Sequence, residues 1–147
     1  MKTVILFRGY RAVFSILVVD DEAELRRQIT AILTSHGYEV TEASNGREAL
    51  EKLLVKPFPL VLCDVQMPEL TGLELLKEIQ AKEISSTIAL ITAHGNIRDA
   101  IEAIREGAFD YVEKPIDETV LTQLVKKAEK AYHMIESVAY SAPILSP

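Results

Sequence analysis

The sequence predicts an α/β protein in which one parallel β-sheet is covered by helices on both faces. Three observations lead to this prediction. Short apolar runs rich in β-branched residues recur five times along the 147-residue chain. Each run is followed by a segment with the apolar spacing of an amphipathic helix. The short runs are apolar throughout instead of alternating, which is typical of strands buried on both sides of a sheet.

Five strands are predicted from these apolar runs. They are Ser15–Val19, Tyr38–Ala43, Leu60–Cys63, Ile88–Ile91 and Asp110–Val112. Parallel neighbours need long crossover connections, and the helix predicted after each strand supplies one. We therefore expect a three-layer (βα)5 sandwich in which a parallel five-stranded sheet has the flavodoxin-like order 2-1-3-4-5.

Local signals in the sequence indicate the first three helices. Gly37 follows the first helical segment, where a residue in the left-handed conformation commonly ends a helix. Asn45 and Glu48 predict a capping box at the start of the second helix, and Pro57 stops it. The third helix is indicated by an apolar stripe that consists of Leu73, Leu76 and Ile79.

The last two helices are predicted from an isoleucine stripe and a capping residue. The fourth helix runs from Asn96 and ends before Gly107, and its stripe is expected to face the core. That stripe consists of Ile97, Ile101 and Ile104. The fifth helix opens at Asp117. We expect residues 1–14 to form an N-terminal extension, residues 15–137 one domain, and residues 138–147 a C-terminal tail.

Composition limits what the chain can bind. No apolar run approaches the roughly 18 residues of a membrane span, and we predict neither a membrane segment nor a signal peptide. A single cysteine, Cys63, excludes an internal disulfide and favours a reducing, cytoplasmic compartment. Twenty-two acidic residues against sixteen basic ones give a net charge of −6. Direct binding to nucleic acid is therefore not expected.

Polar residues follow the carboxyl ends of the predicted strands. Asp20 and Asp21 follow the first strand, Asp64 the third, Thr92 the fourth and Lys114 the fifth. Taken singly, these residues are explained as a helix cap, a turn residue, a strand-end hydroxyl and a surface lysine. Together they meet at the edge where ligands bind in such sheets. Converging carboxylates suit Mg²⁺, and a carboxylate beside Mg²⁺ and a lysine is a nucleophile for phosphoryl groups.

Four stretches of the sequence resemble the receiver domain of two-component response regulators. These are Ile16–Glu22, Asp64–Pro68 followed by Gly72, Ile91–Ala93, and Gly107–Pro115. The resemblance covers residues 15–137. The stretch from His94 to Pro115 is especially similar to receivers of sigma-54-dependent activators and of some hybrid histidine kinases.

The resemblance implies that Asp64 is the phosphoacceptor in a phosphorelay. It also implies a Mg²⁺ site in which Asp21 and Asp64 are direct ligands. Asp20 would bind the ion directly or through water, and the backbone carbonyl of Gln66 would be a further ligand. The module would be a signalling domain and not an enzyme, apart from Mg²⁺-dependent self-phosphorylation and slow autodephosphorylation.

Further roles follow from the same resemblance. Lys114 and the backbone amide of Ala93 would contact the phosphoryl group, and the Lys114–Pro115 peptide bond is commonly cis in this family. Thr92 would be the switch hydroxyl and Tyr111 the switch aromatic residue.

Implied partners are a sensor histidine kinase or phosphotransfer protein and a downstream effector or fused output domain. A phosphorylation-dependent homodimer through the fourth helix, fifth strand and fifth helix is a further possibility. The roughly ten residues after the predicted fifth helix are too few for an output domain, and we expect either a stand-alone receiver or a piece of a larger protein.

Two other classes of protein share parts of this pattern. A phosphohydrolase that turns over an aspartyl phosphate would place a second acid two residues after the nucleophile, where this chain has Gln66. A flavodoxin-like electron carrier would need a phosphate-cradling, glycine-rich loop after the first strand, where this chain has Asp20, Asp21 and Glu22. Both departures argue for the receiver.

Overall fold

The described part of the chain comprises residues 5–6, 10–11 and 14–141 of a computed structural model. Its first two strands, β1 (Ile5–Leu6) and β2 (Tyr10–Arg11), pair antiparallel as a separate ribbon. Five further strands form one parallel sheet. They are β3 (Ser15–Val19), β4 (Glu39–Ala43), β5 (Leu60–Asp64), β6 (Thr87–Thr92) and β7 (Asp110–Glu113). Each of these five begins and ends within one residue of the strand predicted from the sequence.

The parallel sheet has the order β4-β3-β5-β6-β7, which is 2-1-3-4-5 when its five strands are numbered along the chain. The predicted topology is therefore confirmed. The strand order reverses between β3 and β5, so their carboxyl ends flank the crevice in which ligands bind. The register pairs Val19 with Cys63 and Asp64 with Ile91. The residues that follow β3, β5 and β6 consequently emerge at one edge of the sheet.

Helices cover both faces of this sheet. They are α1 (Ala23–Ser35), α2 (Gly46–Val55), α3 (Gly72–Ala81), α4 (Ile97–Arg105) and α5 (Glu118–Ser141). Alternate residues of β3 show the division into layers, because Leu17 packs in one hydrophobic cluster with α2, α3 and α4. Val18 packs in the other cluster, with α1 and α5. Within the described residues, no helix is both long enough and apolar enough to cross a membrane.

The predicted capping box of α2 is only half formed. The Asn45 side chain accepts a hydrogen bond from the Glu48 amide, as predicted. The Glu48 carboxylate accepts instead from the amide and hydroxyl of Ser44, both at 2.7 Å. A complete capping box, which the sequence analysis missed, begins α3 with Thr71 and Glu74.

The prediction that the isoleucine stripe of α4 faces the core is wrong. Ile101 and Ile104 are 42% and 36% exposed. The residues of α4 that are buried are Ala100 and Ala103. Small side chains let this helix lie close to the sheet, so the larger isoleucines remain on the outside.

The two ends of the predicted domain differ from the expected boundaries. Phe14, which was assigned to the extension, is 1% exposed and packs edge-on against the rings of Tyr38 and Tyr132. At the other end, α5 continues to Ser141, four residues into the predicted tail. The rest of that tail, residues 142–147, and most of the extension lie outside the described residues.

Replacing Phe14 with alanine should destabilise the fold. The variant loses two aromatic contacts and leaves a cavity, so we expect the free energy of unfolding to fall by about 3 kcal/mol. Urea denaturation followed by circular dichroism measures this change. Val55→Ala is the control, because Val55 is 86% exposed and its truncation should cost less than about 0.5 kcal/mol. Similar losses in the two variants would contradict a core role for Phe14.

Candidate functional site

Three carboxylates meet at the carboxyl edge of the sheet. Asp20 and Asp21 follow β3, and Asp64 is the last residue of β5. One carboxylate oxygen from each lies within 4.8 Å of those of the other two. Asp20 and Asp64 are buried, whereas Asp21 is exposed and lies on the solvent side of the cluster. The predicted convergence of the three aspartates is therefore present in the fold.

Backbone amides orient the two buried carboxylates. The Glu22 amide donates to Oδ1 of Asp20 at 2.8 Å, and the Gln66 amide donates to Oδ1 of Asp64 at 2.9 Å. Each donor lies two residues after its acceptor, which is the geometry of an Asx turn. Both aspartates therefore hold one oxygen against their own loop and present the other to the pocket.

Lys114 supplies the positive charge of the site from the loop after β7. Its Nζ lies 2.9 Å from Oδ2 of Asp64, 3.0 Å from Oε1 of Glu22 and 3.7 Å from Oδ2 of Asp20. The Lys114 amide donates to the carbonyl of Thr92 at 2.8 Å, which fixes the loop to β6. The Lys114–Pro115 peptide bond is cis, as the resemblance implied.

The electrostatics of the pocket shift two pKa values. Burial, reinforced by the charge of Asp64 and opposed by the bond from the Glu22 amide, raises the pKa of Asp20 to about 6. Burial alone disfavours the charged form of Lys114. Its hydrogen bonds to Asp64 and Glu22 outweigh that effect and raise the pKa of Lys114 above its ordinary value. Lys114 is therefore charged at neutral pH, and the acids around it outnumber it.

The donor set fits a small divalent cation. Oδ2 of Asp20 is buried without a hydrogen-bond partner, inside a cluster of carboxylates. Carboxylate oxygens suit Mg²⁺, whose ligands lie at about 2.1 Å and therefore at most about 4.2 Å from each other. The 4.8 Å spread is slightly wider than this limit. A bridging water or a small side-chain movement would close the difference.

Arg26 and Gly72 support the site, and the sequence analysis assigned neither a role there. The Arg26 guanidinium donates to the backbone carbonyl of Asp20 at 2.7 Å and to Glu42 at 2.8 Å, which ties α1 to the ends of β3 and β4. A Cβ on Gly72 would lie 2.8 Å from the carbonyl oxygen of Asp64. Gly72 is part of a matched motif, but its close approach to the Asp64 carbonyl and the reach of Arg26 across two strand ends follow only from the folded arrangement.

The predicted switch residues lie on neighbouring strands. Thr92 ends β6, is fully buried, and donates its hydroxyl to the carbonyl of Ala93 at 3.1 Å. Tyr111 on β7 pairs in register with Leu90 and is half-buried against the cluster that contains α4. Thr92 lies two residues beyond Leu90 and therefore shares that face of the sheet. The structure thus brings the hydroxyl and the aromatic residue to the same side.

Gln66 lies on the exposed loop after β5. Its amide holds Asp64, and its side-chain amide donates to Oδ2 of Asp99 on α4 at 2.9 Å. The contact of the Gln66 side chain with Asp99 was not predicted from the sequence.

Fold and site together define a doubly wound α/β signalling domain with an acidic pocket and a paired lysine. The family model of the response regulator receiver domain matches residues 16–126. The chain belongs to this family. It is therefore a receiver module of two-component phosphorelay signal transduction, as its motifs predicted.

Similar proteins agree with this membership. Transcriptional regulatory protein ZraR of Escherichia coli (strain K12) is 40% identical over 122 residues, which cover 83% of this chain and 28% of that protein. Regulatory protein AtoC of the same strain is 37% identical over 135 residues, covering 92% of this chain and 29% of AtoC. The chain spans less than a third of the length of these relatives.

Solved structures share the fold closely. A response regulator receiver domain protein from Clostridium thermocellum matches with a TM-score of 0.77 and 32% identity, covering 82% of this chain and 98% of that chain. The receiver domain of NtrX from Brucella abortus matches with a TM-score of 0.74 and 36% identity, covering 78% and 97% respectively.

Replacing Asp20 with asparagine should stabilise the metal-free protein at neutral pH. The folded-state pKa of about 6 lies above the ordinary value of 3.8, so wild-type stability falls as the pH rises between these values. The variant has no carboxyl group to ionise at this position. Its free energy of unfolding should therefore exceed that of the wild type by about 1–3 kcal/mol at pH 7.5 and by little at pH 4.

Urea unfolding from pH 4 to 8 in a chelator measures this difference. Glu51→Gln, a neutralisation on the exposed side of α2, is the control and should be the same as wild type at every pH. A gain for Asp20→Asn that does not depend on pH would show that charge burial is not its cause.

Proposed function

We propose that Asp64 accepts a phosphoryl group from the phosphohistidine of a sensor histidine kinase or phosphotransfer protein. The observation that supports this proposal is the way the two Asp64 oxygens are held. One accepts from the Gln66 amide at 2.9 Å and the other from Lys114 Nζ at 2.9 Å. A carboxylate oriented on both sides at the ligand-binding edge has little freedom to lose when it reacts.

The reaction transfers the phosphoryl group from nitrogen to oxygen. A lone pair of the Asp64 carboxylate forms the new O–P bond while the P–N bond of the phosphohistidine breaks, and that electron pair remains on the imidazole nitrogen. Lys114 stays beside the reacting oxygen and offsets the negative charge that accumulates on the phosphoryl oxygens. The exposed Asp21 side of the pocket leaves room for the donor.

Mg²⁺ is the cofactor that these residues would hold. Asp21, Asp64 and the backbone carbonyl of Gln66 are the proposed direct ligands, with Asp20 binding directly or through water. The ion would neutralise the phosphoryl oxygens and the converging carboxylates. The buried Oδ2 of Asp20, which has no hydrogen-bond partner, supports this assignment.

Thr92, Ala93 and Tyr111 are proposed to convert the new charge into a change of shape. A phosphoryl group adds acceptor oxygens, to which the Thr92 hydroxyl and the Ala93 amide donate. The Thr92 hydroxyl donates to the neighbouring backbone carbonyl of Ala93 at 3.1 Å, so turning it towards the phosphoryl group sacrifices this long contact. Tyr111, half-buried on the same face, then moves into the space that Thr92 leaves.

The face formed by α4, β7 and α5 is proposed as the output surface. Its exposed apolar residues include Ile101, Ile104 and Val120. This face would contact a downstream effector or fused output domain, or a second copy in a phosphorylation-dependent homodimer. The relative ZraR is a transcriptional regulatory protein more than three times as long as the aligned segment, which supports a transcriptional output. We propose the cytoplasm as the compartment of the module.

The phosphoacceptor assignment predicts one covalent modification. With Mg²⁺ and a small phosphodonor such as acetyl phosphate, intact-mass spectrometry should detect one base-labile phosphoryl group on the wild type. Asp64→Asn keeps the shape of the side chain but lacks the nucleophile and should remain unmodified.

Two further arms separate the metal from the nucleophile. Chelation of Mg²⁺ in the wild type and the substitution Asp21→Ala should each slow phosphorylation at least tenfold, because chelation removes the ion and the substitution removes one of its proposed ligands. Full labelling of Asp64→Asn would place the phosphoacceptor at another residue, and unaltered labelling without Mg²⁺ would remove the metal from the proposal.

The switch assignment predicts that Thr92→Ala remains phosphorylatable but loses most of its response. In the wild type, we expect phosphorylation to change the affinity of the output surface for its partner, or for a second copy, by roughly 5–150-fold. The measurement is the shift of backbone amide resonances in α4 and α5 when beryllofluoride, a mimic of the phosphoryl group, is added. Thr122→Ala is the matched control, because its hydroxyl bonds only within α5. Equal shifts in wild type and Thr92→Ala would reject the switch role.

A further inference from the structure

We propose that Asp99 is a positioning residue that holds the Gln66 side chain away from the phosphoryl site, so that phosphorylation of Asp64 must release α4 at this contact. The hydrogen bond would be a second link between the site and the output surface, separate from Thr92. This inference rests on the proposed phosphorylation of Asp64.

Gln66 contacts the reacting residue and the output helix at the same time. Its backbone amide donates to Oδ1 of Asp64, and its side-chain amide donates to Oδ2 of Asp99, both at 2.9 Å. Asp99 lies in the first turn of α4, and Ile101 lies two residues further along the same helix. A single exposed residue therefore joins the phosphoacceptor to the start of the helix that carries the output surface.

Among the described residues, two features leave the start of α4 weakly anchored. Its N-cap residue, Asn96, makes no side-chain capping hydrogen bond. Its buried residues are Ala100 and Ala103, which bury little apolar area each. With so small a buried face, one hydrogen bond to a charged acceptor contributes a large part of what fixes this end of the helix.

A phosphoryl group on Asp64 would compete with Asp99 for the same donor. It carries a charge of about −1.5 to −2 and three strong acceptor oxygens, and it forms beside the Gln66 backbone. The Gln66 side chain carries both of its N–H donors on one nitrogen, Nε2, so the two donors move together when the side chain turns. When that nitrogen turns to a phosphoryl oxygen, Asp99 loses its partner and the first turn of α4 is released.

Linkage makes this competition measurable. If the Gln66–Asp99 bond favours the unphosphorylated form, then removing the bond must favour the phosphorylated form by the same factor. Beryllofluoride, a mimic of the phosphoryl group, serves as the probe. Its affinity at saturating Mg²⁺ is read from backbone amide resonances, which also show that each variant is folded.

The decisive comparison is a double-mutant cycle. Asp99→Ala should bind beryllofluoride about two- to tenfold more tightly than wild type, the range expected for one hydrogen bond. The same substitution in a Gln66→Ala background should change the affinity less than about 1.5-fold, because the bond is already absent.

Two controls separate the hydrogen bond from simple charge removal. Asp99→Asn removes the charge but keeps an acceptor oxygen, and its affinity should stay within about twofold of wild type. Glu102→Ala removes one exposed charge from the same helix, and its affinity for beryllofluoride should also stay within about twofold of wild type. Equal tightening by all three α4 variants, or by Asp99→Ala in both backgrounds, would overturn the positioning role. Absence of beryllofluoride binding in the wild type would instead overturn the proposed phosphorylation, and the link with it.

Discussion

The site depends on the unfavourable convergence of carboxylates at the end of a parallel sheet. Asp20, Asp21 and Asp64 come within 4.8 Å of one another, and Lys114 is the cation that contacts two of them. Burial raises the pKa of Asp20 to about 6, and its buried Oδ2 has no hydrogen-bond partner. The fold therefore maintains a pocket whose charges are incompletely balanced, and a cation or an added group there changes the energy of the whole edge.

The positions of the surrounding elements make that imbalance useful. The loops after β5, β6 and β7 each contribute a residue to the pocket, and backbone hydrogen bonds join them. The Val65 amide donates to the backbone carbonyl of Ile91 at 2.9 Å, and the Lys114 amide donates to the backbone carbonyl of Thr92 at 2.8 Å. A movement of one loop therefore shifts the loops to which it is hydrogen-bonded. Nearby α4 has two buried residues, both alanines, so it places little apolar area against that face of the sheet.

The sequence predicted the fold and most site residues because their signals are local or follow from topology. Apolar runs and helical spacing gave all five strands of the parallel sheet to within one residue. The order 2-1-3-4-5 then brought Asp20, Asp64, Thr92 and Lys114 to one edge, since parallel strands all end on the same side. Motif resemblance added roles for Gln66 and Tyr111 that no spacing argument supplies, and those roles stay predictions.

Packing decided what these local signals could not. Periodicity shows that α4 has an apolar stripe, but not whether isoleucine or alanine faces the sheet, because that depends on the space left between neighbouring elements. Ala100 and Ala103 are buried and Ile101 is exposed. In the same way, Phe14 joins the core only because Tyr38 and Tyr132 meet beside it.

The sequence by itself determined the class of fold, the edge that carries the site and the chemical nature of its residues. Only the tertiary structure decided which side chains hold that site in place. Arg26 against the Asp20 carbonyl, Glu22 against Lys114 and Asp99 against Gln66 join residues six, 92 and 33 positions apart. Such contacts depend on side-chain reach and on the final spacing of folded elements, and neither is encoded in the local pattern of the chain.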